Sequence, residues 1–166
     1  MAYRRVAKVR VEMVKEKSVY CKSKELSSPD LAAWFARSLL FSEEGDELRC
    51  PTKEIMLVIC TDRIGKPLVV EHVTMGTATG TLVGMKELFT SAILSNATEL
   101  ICVHNHPSGN PLPSMEDQLM TKRIQEAAKI LDIPMRDHII LGDEGFYSYQ
   151  EKQVTRWEDV KLQEVS

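Results

Sequence analysis

VHNHPSGNPLPSMEDQLMTKRI, residues 103–124, joins the end of an apolar run to the start of a helical pattern. Leu100–Val103 is uninterruptedly apolar, which suits a short buried strand. Pro107, Gly109, Pro111 and Pro113 then stiffen the connection. Ser114 opens a helix that runs to about Leu131, where Asp132-Ile133-Pro134 stops it, since proline has no amide hydrogen and clashes with the turn before it. On an extended backbone His104 and His106 project from one face and Asn105 from the other. Ser114 and Asp117 lie three apart, neighbours on the surface of the first helical turn.

Working outward, the same alternation of strand and helix continues. Ile55–Cys60 is long and apolar enough for a buried strand. The turn Asp62-Arg63-Ile64-Gly65-Lys66-Pro67 leads into a second strand over Leu68–Met75, so the two form a hairpin. Leu82–Leu94 reads as a helix. His138–Leu141 is a strand, Gly142–Gly145 a turn and Phe146–Tyr149 a last short strand. Toward the N-terminus, Ser27-Ser28-Pro29-Asp30 starts a helix whose body is Leu31–Phe41. Glu43-Glu44-Gly45-Asp46 ends it in a polar loop, and Val9, Val11 and Met13 alternate with charged residues as in a half-buried strand. The expected class is α/β or α+β around a central mixed sheet. The expected division is an arm over residues 1–26, one domain over 27–150 and a tail over 151–166. That tail, polar apart from Trp157 and a few aliphatics, suits either a docked arm or a frayed end.

The bulk numbers fit one domain: 166 residues, 43% hydrophobic and 27% charged, need no disulfides to hold a core. A net charge of −3 argues against a whole-surface nucleic-acid binder. Residues 1–17 are locally basic, with Arg4, Arg5, Lys8, Arg10, Lys15 and Lys17 against Glu12 and Glu16. That stretch offers a contact for DNA phosphate or an acidic partner; it equally suits a solvated edge strand guarded by its charges. Cys21, Cys50, Cys60 and Cys102 make no CxxC pair, as in a reducing compartment. No apolar run reaches the ~20 residues that span a membrane, and no signal-peptide core follows the basic start, so a cytoplasmic location is expected.

The chemistry concentrates in the quoted stretch. His104, His106 and Asp117 can converge on one ion and leave a coordination position open, the pattern of a catalytic zinc site. Taken singly, Ser114 and Asp117 read as a capping box and the histidines as incidental; the joint spacing is what favours a metal. The two readings are compatible for Ser114, whose hydroxyl can both end the helix and face the metal. Asn105, on the other face, suits holding the loop. Cys102 shares the face of His104, though a free cysteine is often a small buried hydrophobe. His138 suits either a group supporting the ligands or a satisfied core histidine, and His72 has no supporting pattern. The zinc-deaminase strings H-x-E and P-C-x-x-C are both missing, and His104-Asn105-His106 is not the dispersed triad of an HNH nuclease.

His104-x-His106, seven residues, Ser114, two residues, Asp117 matches the JAMM motif of JAB/MPN metallopeptidases at each position. The string His104-Asn105-His106-Pro107-Ser108-Gly109, with Pro113, Ser114, Asp117 and Thr121 and the downstream Asp137-His138-Ile139-Ile140, resembles the RadC family. The likeness covers roughly residues 30–150. It implies the cytidine-deaminase-like mixed-sheet sandwich of JAB/MPN domains, a Zn2+ cofactor and a bacterial source. It also implies an upstream glutamate at a strand start. Glu54 fits best; Glu71, mid-strand, comes second, and Glu87 and Glu99 have ordinary surface or strand-entry readings. RadC proteins carry a helix-hairpin-helix module ahead of this domain, for which residues 1–50 are too short, so a short form is expected. The implied roles are zinc on His104, His106 and Asp117, Glu54 as general base and Ser114 as donor to the oxyanion, for hydrolysis of a peptide or isopeptide bond in an unknown substrate. The alternatives are a DNA-repair accessory or DNA-binding protein and a catalytically silent interaction module. Oligomeric state is open.

Overall fold

In a computed structural model of the chain, the residues described are 12–14, 18–21, 23–44, 47–49, 51–73 and 84–162, with the side chains of 42–49 left aside. The elements run α1 (Pro29–Leu40), β1 (Ser42–Glu44), β2 (Glu47–Arg49), β3 (Met56–Thr61), β4 (Pro67–Val73), α2 (Met85–Leu94), β5 (Glu99–Asn105), α3 (Met115–Leu131), β6 (Met135–Leu141), β7 (Gly145–Ser148) and β8 (Gln153–Arg156). β3 to β8 form one sheet in the order β4-β3-β5-β6-β7-β8. Among the described residues, only the β5–β6 pair is parallel. A parallel pair needs a long crossover, which α3 supplies. This is the expected mixed α/β class.

Strand parity sorts the core into two layers. Met56, Val58, Cys60, Leu100 and Cys102 pack under α2 and α3 with Leu88, Phe89, Met120 and Ile124. Leu57, Ile59, Ile101, Val103, Ile139 and Leu141 point the other way, against Ala32, Phe35, Ala36 and Leu40 of α1. Both faces of β3 and β5 are covered, which is why their sequences read as continuous apolar runs rather than alternating ones. Ser28 caps α1, its hydroxyl accepting from the Leu31 amide at 3.3 Å, with Pro29 in the first turn.

Two expectations change, and one left open is decided. The polar loop after α1 is a hairpin: Ser42 pairs with Arg49, Glu43 with Leu48 and Glu44 with Glu47. Polarity concealed it; the dipeptide Gly45-Asp46 is a hairpin signal in sequence whatever the charge around it. The strand expected over Leu100–Val103 extends to Asn105, so His104 lies inside the sheet, opposite Met56 on one side and Ile140 on the other. The tail is docked. β8 pairs with β7, and Trp157 packs on Phe146, Phe41 and Trp34 at ring separations of 5.5–6.4 Å. The Arg37 guanidinium lies 4.4 Å over the Trp157 ring, and the indole N–H donates to the Gly142 carbonyl at 3.1 Å. The strand expected around Val9–Met13 falls mostly outside the described residues, as do Thr74, Met75, Leu82 and Val83; residues 12–14 carry no regular structure.

Trp157→Ala should lower stability by about 2–3 kcal/mol, somewhat below the usual cost of deleting a fully buried tryptophan, as read from the midpoint of urea unfolding. An unchanged midpoint would mean that the tail is not held by this ring.

Candidate metal centre

β5 and α3 bring the site together. His104, near the end of β5, points to the α3 face, and His106 follows two residues on. The connecting loop is pinned to the β6–β7 turn: the His106 amide donates to the Leu141 carbonyl at 3.0 Å, and the Asp143 amide to the Gly109 carbonyl at 2.9 Å. Gly109 has φ of 77°, a conformation costly for a side chain, and a Cβ there would meet Asp143. Ser114 caps α3 in a capping box. Its hydroxyl accepts from the Asp117 amide at 3.1 Å, and its own amide donates to Asp117 Oδ2 at 2.7 Å. The Ser114 hydroxyl proton goes to the same Oδ2, at 2.5 Å.

Four side chains then converge. His104 Nε2 lies 3.1 Å from His106 Nε2 and 3.0 Å from Asp117 Oδ1, and His106 Nε2 lies 3.2 Å from Asp117 Oδ2. Glu54 Oε1 is farther, 3.8 Å from His104 Nε2. Ligand atoms from all four residues lie within 4.8 Å of one another, a grouping able to hold a metal ion. The spacing fits such an ion: bonds of about 2.0–2.1 Å in tetrahedral array put ligand atoms about 3.3 Å apart. Charge agrees. His106 Nδ1 is 2.8 Å from the Asn110 carbonyl, which can only accept, so Nδ1 carries a proton and Nε2 turns toward the cluster. Acceptors packed this closely require a cation between them, either a proton or a metal. Burial opposes charging His106, yet Asp117 and the Asn110 carbonyl together hold its pKa above the ordinary 6.5. Burial likewise opposes the Asp117 carboxylate, yet the hydrogen bonds with His104 and His106 keep it well below the usual carboxylate range.

The other sequence candidates fall into place around this cluster. Asn105 points to the opposite face and is fully buried; it clamps residues 51–55 rather than its own loop. Its Oδ1 accepts from the Ile55 amide at 2.9 Å, and its Nδ2 donates to the carbonyls of Pro51 and Lys53 at 3.1 and 3.0 Å. That segment carries Glu54. His138 is fully buried, with Nε2 at 2.9 Å from His104 Nδ1 and Nδ1 at 2.7 Å from the Thr121 hydroxyl. It stacks on Tyr149. Burial and the neighbouring His104 press its pKa well below the ordinary histidine range. It is thus both a core histidine and a neighbour of the cluster. Thr121, quoted above only for its likeness, is the link sequence reasoning missed; its i+4 spacing from Asp117 was the available signal. Cys102 stays in the core under α2 and α3, where burial raises its thiol pKa. Glu71 stands opposite Val58 on β4, Glu87 is on α2, and Glu99 pairs with Arg136. None of these three joins the cluster, and His72 is exposed on β4.

The mixed-sheet α/β fold is the one expected of a JAB domain, and His104, His106 and Asp117 come together at a strand end and helix start within it. Residues 27–154 match the RadC-like JAB domain, and the chain belongs to that family. Its relatives include UPF0758 proteins of Protochlamydia amoebophila (39% identical over 66% of this chain and 47% of that one), Thermotoga maritima (40%, covering 60% and 45%) and Microcystis aeruginosa (39%, covering 80% and 51%). The chain spans about half the length of these curated relatives. Among the described residues, no helix is long and apolar enough to cross a membrane.

His106→Ala should abolish stoichiometric metal binding, checked by elemental analysis of the purified protein. Affinity of the wild type should fall on acidification and start to fall above pH 6.5, because the raised His106 pKa lets protons compete earlier. A titration of affinity against pH that breaks at or below 6.5 would contradict this.

Proposed function

We propose that the chain is a zinc-dependent hydrolase of peptide or isopeptide bonds, with zinc held by His104, His106 and Asp117. The observation that carries this reading is the convergence of two imidazole nitrogens and a carboxylate at 3.0–3.2 Å, with Glu54 set slightly back. Bound there, zinc supplies Lewis acidity, polarising the substrate carbonyl and bringing the pKa of water toward about 7.

The protein's own residues do the remainder. Glu54 is 40% exposed, whereas Asp117 and His104 are 6% and 0% exposed. It is therefore the most exposed member of the cluster and the one set to meet substrate. Its carboxylate takes the proton of the attacking water and passes it to the leaving amine as the carbon–nitrogen bond breaks. Ser114 donates to the oxyanion that develops on the carbonyl, a role in which its proton leaves Asp117 Oδ2. Asn105 fixes the backbone on both sides of Glu54, so the base is held in place without a bond to its own carboxylate. The partner is a peptide or protein substrate.

Glu54→Gln should keep the full metal content and lower turnover by about 10²–10⁴-fold, the usual contribution of a positioned acid–base group. The assay is a panel of fluorogenic peptides and isopeptide-linked conjugates, with a chelator followed by zinc readdition as the control. Full activity in the glutamine variant would sink the assignment of Glu54.

A further inference from the structure

We propose that Thr121 and His138 form a tautomer lock that presets His104 to receive the metal. They are positioning residues, acting through His104 rather than on substrate. The inference rests on the metal reading of His104 but concerns a different part of the protein, the layer between the sheet and α3.

The argument follows protons. Thr121 Oγ1 lies 2.7 Å from the Asp117 carbonyl and 2.7 Å from His138 Nδ1. Two oxygens at 2.7 Å need a proton between them, and a carbonyl has none to give. The Thr121 hydroxyl proton therefore sits on the bond to Asp117. The Thr121 oxygen then has only lone pairs left for His138, so His138 Nδ1 carries the proton of that contact. A neutral imidazole has one N–H, so His138 Nε2 is an acceptor. It faces His104 Nδ1 at 2.9 Å, and His104 must donate. With Nδ1 committed to His138, Nε2 is the His104 nitrogen that faces His106 and Asp117, and the proton it shares with Asp117 Oδ1 is the one a metal would displace.

The opposite polarity would run from Thr121 to His138 to His104. It would leave the hydrogen on His104 Nε2 as the only proton of that ring, so that a metal could enter only by forming an imidazolate. It would also leave two oxygens at 2.7 Å with nothing between them. The lock is thus anchored on the backbone of Asp117, so one candidate ligand sets the tautomer of another through two buried side chains. Metal-ligating histidines are commonly oriented through their second nitrogen; here the partner is a neutral histidine whose direction a helical threonine decides.

The test uses the full chain. Histidine tautomers are read in the metal-free wild type at neutral pH by long-range proton–nitrogen correlation. Zinc affinity is measured by chelator competition for wild type, Thr121→Val and Thr121→Ser. His138 should be in the Nδ1–H form without metal. Thr121→Val should lose about 10–100-fold in zinc affinity, with its His138 tautomers mixed, and Thr121→Ser should restore both. A Nε2–H tautomer of His138 in the metal-free wild type would overturn the lock. So would a folded valine variant with unchanged affinity. If the valine variant does not fold, the wild-type tautomer alone decides. A wild type that binds no zinc would instead remove the metal reading, while the tautomer result still stands for or against the lock.

Discussion

Adjacent residues on a strand must point to opposite faces, and the site depends on that constraint at His104 and Asn105. His104 turns toward α3 and joins the candidate metal cluster. Asn105 turns toward α1 and spends its whole amide on three bonds to residues 51–55. Because Met56 is registered opposite His104, that clamp sets the height at which Glu54 meets the cluster. Two consecutive side chains thus bring a candidate ligand and the proposed base together from different faces of the same sheet. A slip of one residue in β5 would bury the wrong member of the pair on each side.

The second organising fact is electrostatic. Around the cluster, lone pairs and carboxylate oxygens crowd to near 3 Å, which is unfavourable unless positive charge sits among them. The surroundings do not relieve this; they enforce it. The Asn110 carbonyl holds His106 in one orientation, and the contacts through His138 hold His104. The loop that carries His106 is tied to the β6–β7 turn, and the Trp157 indole is tied to the same turn through Gly142. The tail therefore braces the ground on which the loop rests. A Cβ on Gly142 would meet the Gly109 carbonyl and Pro111, so the turn and the loop pack without room for a side chain.

What the sequence disclosed follows from what is local. His104-x-His106, the proline-rich loop and the Ser114–Asp117 cap lie within one short stretch, where spacing translates directly into geometry. The α1 cap at Ser28 and the β3–β4 hairpin were legible for the same reason. Glu54 was reached by family likeness, which asks for a glutamate at a strand start; the β3–β5 register and the Asn105 clamp are what carry it to the cluster. The function of His138 was hidden more deeply. Its side of the sheet acquires meaning once β6 is known to lie parallel beside β5, with Cys102 opposite it, and no spacing in the chain announces that pairing. The β1–β2 hairpin was obscured by its charges, and the docking of Trp157 by its distance in sequence from Phe41 and Phe146.

Ser114 and Asp117 show why a cap and a site need not compete as explanations. A capping box holds its acid by one edge. Asp117 Oδ2 accepts the amide and the hydroxyl of Ser114 and also faces His106. Oδ1 is left with His104 Nε2 as its contact. The cap therefore fixes the carboxylate plane and assigns its two oxygens different work: Oδ2 holds the helix start, and Oδ1 stays directed at the histidine that the buried layer beneath α3 orients. The same carboxylate, buried and kept ionised by its neighbours, stabilises the start of the helix by opposing its dipole. Removing the charge would loosen helix and cluster together, so the fold at this point cannot be separated from the chemistry it positions.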